Sequence, residues 1–443
     1  MTGYFSRKID SDLLDWKDSA DRKPLILRGA RQVGKSRTVR EFGRKFDNIF
    51  EINFENRDYT GAKKVFEQHS EPQIICEELS ALYEKPITAG KTLLFLDEIQ
   101  SCVEAISAFR YFYEQMPALH IIAAGSLLEF ALQKIPSYAV GRVRSMYMYP
   151  FSFEEFLQAM GRDILLEKLL EAAPEKPLSE EIHRKLSELF LRFLVIGGMP
   201  EVVAKYASGG SLLDCQNTLD DLTEAFFNDF AKYKQRVPAA RLEEVFSSVI
   251  AQTGRKFTYS RTAAPATREQ IKESIELLRI AGLVYPVLHS SANGLPLAAQ
   301  INPRYRKFMI LDTGIYQRFL RLDLSSLLLE NKVEQINKGA LAKMFVGTEF
   351  IKTQNNRLSA ELYYWQREKG GSTAEVDYIL PVGQNIVPVE VKAGTKGSMQ
   401  SMFLFLAEKQ QSCGIRCSME NFGEYDNFKI YPLYAAGRLT ALS

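Results

Sequence analysis

The sequence is poor in the residues that form disulfides and zinc sites. It has five cysteines and four histidines in 443 residues. The cysteines are odd in number and scattered, and only Cys413 and Cys417 lie close together. Because no second pair of cysteine or histidine residues completes a zinc site, we expect free thiols in a reducing cytoplasm.

Long apolar runs and an excess of charge of one sign are also missing. No stretch approaches the roughly 18 apolar residues that a membrane span needs. The N-terminus, MTGYFSRKIDSDLLDW, lacks the apolar core of a signal peptide. Lys and Arg total 56 against 54 Asp and Glu, a formal net charge of +2. Composition alone therefore does not indicate a nucleic-acid binder, and any basic surface must be local. We expect a cytoplasmic protein without a membrane partner.

The composition that remains is that of a globular chain. Hydrophobic residues make up 46% and charged residues 25%, ordinary values for a protein that buries a core. At roughly 150 residues per domain, the length predicts about three domains.

The segment KPLILRGARQVGKSRTVREFGRKF combines the three parts of a phosphate-binding loop. Residues 24–27 form a short apolar run that predicts a buried parallel strand. Residues 29–36 fit G-x-x-x-x-G-K-[ST], and residues 37–46 have the apolar spacing of a helix. Strand, glycine loop and helix in this order are the context that the motif requires.

The residue types of this loop predict ATP with Mg²⁺ as its ligand. Gly29 and Gly34 let backbone N–H groups turn inward around the phosphates, and the helix N-terminus adds partial positive charge. Lys35 would reach the β- and γ-phosphates, and the Ser36 hydroxyl would ligate Mg²⁺. The predicted nucleotide-contacting residues are Gly29, Ala30, Arg31, Gln32, Val33, Gly34, Lys35, Ser36 and Arg37.

A partner motif, KTLLFLDEIQ, follows at residues 91–100. A mostly apolar run from Thr92 to Leu96 predicts a buried strand that delivers Asp97 and Glu98 to the sheet edge where ligands bind. Asp97 would hold the Mg²⁺, and Glu98 would polarise the attacking water.

Two weaker features complete the predicted catalytic set. A third apolar strand, from residue 120, ends in Gly125 and Ser126, and the Ser126 hydroxyl could sense the γ-phosphate, although Gly-Ser also makes an ordinary turn. Arg142 and Arg144 lie two residues apart, so on a strand they would share one face. Either could stabilise transition-state charge, in cis or from a neighbouring subunit, or form a solvated basic face.

With these motifs the sequence resembles the prokaryotic AAA-type (P-loop) ATPases that carry a C-terminal PD-(D/E)xK restriction-endonuclease-like domain. The matching pieces cover nearly the whole chain in the family's order. They are LRGARQVGKS, LLFLDEIQ, AAGSLLEF, GRVRSMYMYPFSFEEF, GGMPEVV, KFMILDTGIY and AEVDYILPVGQNIVPVEVKAG.

This resemblance implies an α/β fold in four parts. They are a P-loop AAA-like domain with a parallel sheet (1–150), a helical lid (151–236), a winged-helix-like domain (237–325) and a nuclease-like α/β domain (326–443). It does not name a pathway.

The middle of the chain predicts helices and then a winged helix. Residues 153–233 have helical apolar spacing, stopped by Gly197-Gly198 and Pro200. Thr267 can cap a helix that Gly282 stops, and the two apolar segments on either side of SSANG could form a hairpin. On that helix Arg268, Lys272 and Arg279 share a face that could contact DNA phosphates, or that could be a solvated charged face.

The segment EVDYILPVGQNIVPVEVK predicts two strands that place a cluster of charged residues together. Glu390 and Lys392 point to the same side of their strand, and Asp377 arrives from the neighbouring strand. Two carboxylates could hold a second Mg²⁺ while Lys392 orients a water against a phosphodiester. This arrangement resembles the PD-(D/E)xK core, and Glu375, on the face of Asp377, could add a ligand.

The preceding helix, KGALAKMFVGTEFIK, argues against metal-dependent cleavage. Nucleases of this kind usually take an acidic ligand from such a helix, and here Lys343 stands where the family commonly has Glu. Glu349 lies six residues further, about 240° around a helix, so it cannot replace that side chain. We therefore expect a nuclease-like fold with a degenerate site.

The sequence thus predicts an ATP-binding and ATP-hydrolysing protein whose nucleotide state controls the winged-helix and nuclease-like parts, with DNA as a possible partner. The alternative is a nucleotide-gated switch that holds ATP or ADP and regulates a protein partner. A homo-oligomer is compatible with both.

Overall fold

The structure is a computed structural model that describes residues 3–125, 141–231, 237–263, 265–322, 338–368, 374–394 and 397–442. None of the helices in these ranges is both long and apolar enough to cross a membrane.

The N-terminal part is built on a five-stranded parallel sheet with the strand order β2-β3-β4-β1-β5. The strands are β1 (Leu25–Arg28), β2 (Asn48–Asn53), β3 (Thr92–Asp97), β4 (His120–Ala124) and β5 (Arg144–Tyr147). The helices are α1 (Ile9–Asp18), α2 (Lys35–Gly43), α3 (Thr60–Gln68), α4 (Pro72–Leu82) and α5 (Val103–Gln115). Every residue of β1, β3 and β4 is buried, as expected for a parallel sheet covered on both faces.

The predicted helical segment follows this sheet. It consists of α6 (Phe153–Ala159), α7 (Asp163–Glu171), α8 (Glu180–Ile196), α9 (Pro200–Ala207) and α10 (Leu212–Phe230). The predicted interruption is confirmed: α8 ends before Gly197, which has a φ of 73°, and Pro200 is the first residue of α9.

The predicted helix and hairpin of the next segment are also confirmed. After α11 (Ala239–Ala251), Thr267 caps α12 (Arg268–Ile280) with a capping box that includes Gln270. Strands β6 (Val284–Ser290) and β7 (Ile301–Ile310) pair antiparallel. A short helix, α13 (Thr313–Phe319), follows the hairpin.

The hairpin belongs to a larger mixed sheet of eight strands in the order β12-β13-β11-β10-β9-β8-β6-β7. Its other strands are β8 (Leu362–Gln366), β9 (Glu375–Val382), β10 (Asn385–Val391), β11 (Gly414–Ser418), β12 (Gly423–Tyr425) and β13 (Phe428–Pro432). Its helices are α14 (Lys338–Thr353) and α15 (Gln400–Lys409), and a 3₁₀ helix spans Leu433–Leu442. Because β6 pairs in parallel with β8, the segments 237–325 and 326–443 share one sheet.

Three segments meet through hydrogen bonds of backbone groups where the helical segment joins this second sheet. The Gly198 N–H donates to Asp312 Oδ2 over 2.6 Å, and the Phe151 N–H donates to the Gly198 carbonyl over 2.7 Å. A Cβ at Gly198 would lie 2.3 Å from the Phe151 oxygen. Asp312 is 1% exposed and also caps α13 through the N–H groups of Gly314 and Ile315. This junction therefore requires glycine at position 198.

We predict that Gly198→Ala destabilises the protein by about 3 kcal/mol, because the new methyl group overlaps backbone atoms that cannot move aside like a side chain. Gly339→Ala is the matched control. No atom of the described residues lies within 4 Å of a Cβ at Gly339 on α14, so this change should be neutral or stabilise by up to about 1 kcal/mol. Urea unfolding of both variants tests this, and equal midpoints would contradict the role of the junction.

Candidate nucleotide site and terminal charge cluster

The predicted phosphate loop connects β1 to α2 at the edge of the sheet formed by the carboxyl ends of the strands. Gly34 has a φ of 98° and immediately precedes α2, so its left-handed backbone favours glycine. Gly29 has a φ of 142°, and a Cβ there would lie 2.1 Å from the Met148 oxygen. Both glycines of the motif are thus required by the geometry of the loop.

Lys35 lies inside the loop. It is 8% exposed, and its Nζ donates to the carbonyl oxygens of Gly29 over 2.9 Å and Ala30 over 2.8 Å. Burial lowers the pKa of Lys35 to about 8, while the nearby charges of Glu98 and Asp97 act in the opposite direction. A phosphate would replace the carbonyl oxygens as a stronger, charged acceptor.

The two acidic residues lie at the end of β3, facing the start of α2. Asp97 is 4% exposed, and burial raises its pKa, although a hydrogen bond with the Ser36 side chain lowers it. This hydrogen bond joins the two predicted Mg²⁺ ligands. Glu98 follows in a left-handed backbone conformation with a φ of 49°, which turns its side chain away from the line of the strand.

Gln100 is a residue of this site that the sequence analysis missed. Its Nε2 donates to Glu98 Oε2 over 2.6 Å. Its Oε1 is buried without a partner among the described residues and lies 2.1 Å from where a Cβ on Gly125 would be. Gln100 therefore connects the predicted catalytic carboxylate to the end of β4. Its position two residues after Glu98 was the only signal in the sequence.

Neighbouring elements pack directly against the loop. Arg31 Nη1 forms a 2.5 Å ion pair with Asp229 Oδ1 near the end of α10. After α12, a Cβ on Gly282 would lie 3.1 Å from the Ala30 nitrogen. A cavity of about 500 Å³ lies between the sheet edge and α12, and its lining includes Gly29, Gly125 and Gly282. The loop thus contacts both the helical lid and the unit formed by α12 and the hairpin.

The remaining predicted residues of this site have different outcomes. Ser126 lies outside the described residues. Arg142 lies in the turn before β5 rather than on the strand, and its Nε pairs with Glu114 over 2.6 Å. Arg144 begins β5 opposite Leu25, the first residue of β1. Both arginines therefore lie on the side of the parallel sheet formed by the amino ends of the strands, opposite the phosphate loop. This corrects the prediction that either arginine could stabilise the transition-state charge within its own chain.

The C-terminal motif forms a cluster in which each carboxylate has a lysine partner. Lys343 Nζ is 2.5 Å from Asp377 Oδ1, and Lys392 Nζ is 2.7 Å from Glu390 Oε1. A third pair, which the sequence analysis did not anticipate, joins Glu375 to Lys307 of β7 at 2.5 Å. The Lys343 ammonium group therefore contacts the Asp377 carboxylate and is not turned to solvent.

Burial and space in this cluster are unfavourable to a bound metal. Burial, followed by the charge of Asp377, raises the pKa of Glu390 to about 7, so this carboxyl is partly protonated near neutral pH. The cavity lined by Lys307, Lys343 and Asp377 is about 10 Å³, roughly the space of one water. Within the described part of the chain, no group of three or more His, Cys, Asp and Glu side chains could hold a metal ion.

Glu349 has a structural role on a different face of α14. It is 1% exposed, accepts from the Phe153 N–H over 3.1 Å and pairs with Lys352 at 3.1 Å. Burial raises the pKa of Glu349, and Lys352 acts against this shift. Glu349 thus caps the first turn of α6 and does not reach the cluster around Asp377.

Comparisons with known families divide the chain into three segments. Residues 21–157 match the family described as an AAA domain. Residues 187–326 and 338–436 match two domains of unknown function, DUF8612 and DUF4143. The AAA-type P-loop match therefore covers the segment with the parallel sheet and not the chain as a whole. No curated protein matches the sequence.

Solved structures similar to the chain include ATPases of distant sequence. A Walker-type ATPase of Pyrococcus abyssi is 17% identical with a TM-score of 0.48, over 72% of this chain and 96% of that one. The ORC1 protein of Aeropyrum pernix in complex with DNA is 13% identical with a TM-score of 0.28, over 73% and 91%. A STAND protein of Pyrococcus horikoshii is 11% identical with a TM-score of 0.27, over 79% and 48%. With TM-scores below 0.5, these similarities assign no residue roles.

The lowered pKa of Lys35 predicts a pH-dependent affinity for ATP. Above pH 8 the free protein increasingly holds a neutral Lys35, and binding must then take up a proton. The Kd for ATP should rise about tenfold per pH unit above that value. Titrations between pH 7 and 9 measure this, with Lys35→Ala as the control, which should bind weakly at every pH. A constant Kd in the parent chain would contradict the prediction.

Proposed function

We propose that the chain binds ATP with Mg²⁺ and hydrolyses it. The observation that carries this proposal is the meeting of Lys35, Ser36, Asp97 and Glu98 at one edge of the parallel sheet. Ser36 and Asp97 already share a hydrogen bond and offer the oxygen ligands that Mg²⁺ prefers. When bound, Mg²⁺ neutralises charge on the phosphate oxygens.

The side chains of the loop and of the end of β3 have separate roles in binding and hydrolysis. Lys35 would exchange its two carbonyl acceptors for phosphate oxygens, and the Ser36 hydroxyl would be one of the oxygen ligands of the metal. Glu98 accepts a hydrogen bond from the attacking water and orients it toward the γ-phosphate. Gln100 holds Glu98 at 2.6 Å and so limits the directions that this carboxylate can take.

We predict that Glu98→Gln retains ATP but slows hydrolysis by about three orders of magnitude or more, because the residue acts on the water and not on the nucleotide. Phosphate release under steady-state conditions and ATP binding by titration measure the two effects separately. Glu104→Gln, a nearby change on α5 outside the site, is the control. Hydrolysis by Glu98→Gln at the parent rate would remove Glu98 from the mechanism.

The nucleotide state would reach the rest of the chain through contacts with the loop. Arg31 is paired with Asp229 of α10, and Ala30 packs against Gly282 after α12. Since Arg31 and Ala30 are both in the phosphate loop, filling or emptying it should shift the lid and the hairpin of the second sheet. This is how ATP hydrolysis would act on the winged-helix-like and nuclease-like parts.

We further propose that the terminal cluster is a degenerate form of a nuclease-like site. Lys343 forms an ion pair with Asp377, and the Oε2 of buried Glu390, which has no hydrogen-bond partner among the described residues, offers one weak ligand. An ammonium group in direct contact with a carboxylate offsets the attraction that a divalent cation would feel. The cluster would therefore stabilise the second sheet or contact DNA without cutting it.

We predict little or no cleavage of plasmid and single-stranded DNA in Mg²⁺, and at most weak cleavage in Mn²⁺. Lys343→Glu adds the missing carboxylate and should strengthen metal binding, which calorimetric titration with Mn²⁺ would detect. Asp377→Ala serves as the control. Robust Mg²⁺-dependent cutting by the parent chain that Asp377→Ala abolishes would identify an ATP-regulated nuclease instead.

A second candidate function is a nucleotide-gated switch that regulates a protein partner without processing DNA. It is favoured by the packing of Gly282 on Ala30 and by the charges of α12. Lys272 and Arg279 line the 500 Å³ cavity and pair with Glu269 and Glu276 at 3.2 and 2.6 Å. DNA contact through this helix stays a prediction. Multiple ATP turnovers stimulated by DNA would support the first function, and one retained nucleotide per chain with no response to DNA would support the second.

A further inference from the structure

Arg7 lies outside residues 21–157, which match the AAA domain, yet it contacts the phosphate loop directly. Its Nη1 donates to the Val33 carbonyl over 3.2 Å, and its Nη2 donates to the Tyr149 carbonyl over 2.7 Å. Its Nε donates to Glu155 Oε1 over 3.0 Å. The guanidinium also lies 4.1 Å from the centre of the Phe151 ring. One planar group thus joins the loop, the segment after β5 and the first lid helix.

The bond to Val33 has a consequence for the neighbouring N–H group. The Val33 carbonyl and the Gly34 N–H belong to the same peptide group, which is planar and trans, so they point in opposite directions. Arg7 pulls the oxygen toward the N-terminal segment, and this turns the Gly34 N–H the other way. Gly34 has a φ of 98°, and glycine has little steric preference among backbone conformations, so a hydrogen bond from outside the loop helps to hold this peptide in one orientation.

The partner of Arg7 is itself fixed and charged. Glu155 Oε1 also accepts from the Lys8 N–H, and Oε2 accepts from the Ser152 N–H, both over 2.8 Å. Burial alone would raise the pKa of Glu155, but the Arg7 charge and these N–H groups hold it below its usual value. The carboxylate is therefore ionised at neutral pH and keeps the buried guanidinium in place.

We propose that Arg7 is a positioning residue for phosphate binding, which holds the Val33–Gly34 peptide with its N–H directed at the nucleotide phosphates. This inference rests on the proposed ATP-binding function of the loop. It adds Arg7, from the segment before residues 21–157, to the residues that shape the nucleotide site. Arg7 acts through Val33 and Gly34 and does not itself touch the nucleotide.

Arg7→Ala should raise the Kd for ATP and ADP about tenfold or more, because one phosphate-binding N–H is no longer held toward the phosphates. In turnover, KM should rise more than kcat falls, since the lost interaction is made in the ground state. Fluorescent-nucleotide titration and steady-state assays measure both, at a temperature where circular dichroism shows the variant folded.

Arg22→Ala is the matched control for a purely structural effect. Arg22 also donates to backbone carbonyls, those of Lys17, Pro117 and Ala118, but it does not contact the loop. The Arg22→Ala variant should have a lower melting temperature and an unchanged Kd for ATP. Equal losses of affinity in Arg7→Ala and Arg22→Ala would overturn the positioning role.

Arg7→Lys tests the inference even if Arg7→Ala fails to fold. Lysine keeps the charge against Glu155 but lacks the planar fork that bonds two carbonyls at once, so ATP binding should weaken about threefold or more. Affinity equal to that of the parent would overturn the proposal. If the parent chain binds no ATP, the proposed function itself is overturned. If the parent chain binds ATP and the Arg7 variants bind it equally well, only the role of Arg7 is overturned.

Discussion

The close approach of backbone at Gly198 is the contact on which the arrangement of the whole chain depends. Here the segment after β5 bonds backbone to backbone with Gly198 at the end of α8, and the Gly198 N–H donates to the side chain of Asp312 at the start of α13. Asp312 completes the contact from a buried position, where burial raises its pKa and Lys352 and three backbone N–H groups oppose this shift. Buried polar groups are tolerated only when they are bonded in this way. The junction thus holds the second sheet against the helical segment that follows the parallel sheet.

Helix α14 connects this junction to the terminal cluster. At its C-terminal end, Lys352 donates to the Phe151 carbonyl over 2.9 Å, and Glu349 caps α6. Nearer its start, Lys343 lies on Asp377. The helix is thus held at its C-terminal end by hydrogen bonds to the segment around α6 and nearer its start by the ion pair with Asp377, so it connects the two regions directly. The same first lid helix, α6, carries Glu155, the partner of Arg7, so the phosphate loop, the lid and the second sheet form one continuous set of contacts.

Local features of the fold could be predicted from the sequence because short stretches of chain encode them. The cap at Thr267, the stop at Gly282 and the interruption at Gly197 follow from the backbone preferences of single residues, and the structure has each of them. Strand alternation placed Glu390 and Lys392 together for the same reason. The prediction that Arg142 could act on the nucleotide of its own chain was wrong, because the spacing of residues along a strand does not show which end of that strand lies beside the phosphate loop.

The sequence by itself determined the phosphate loop, since a few consecutive residues supply its glycines, its lysine and its hydroxyl. The prediction that Lys343 stands where similar nucleases commonly have an acidic residue came from the family resemblance. Only the tertiary structure decided what these residues touch. Lys343 pairs with Asp377, Lys307 pairs with Glu375, and Arg7 reaches Val33, in each case across segments distant in the chain. Such pairs depend on how sheets and helices pack, because charged side chains can be buried only where the fold brings an opposite charge or a carbonyl within hydrogen-bond distance.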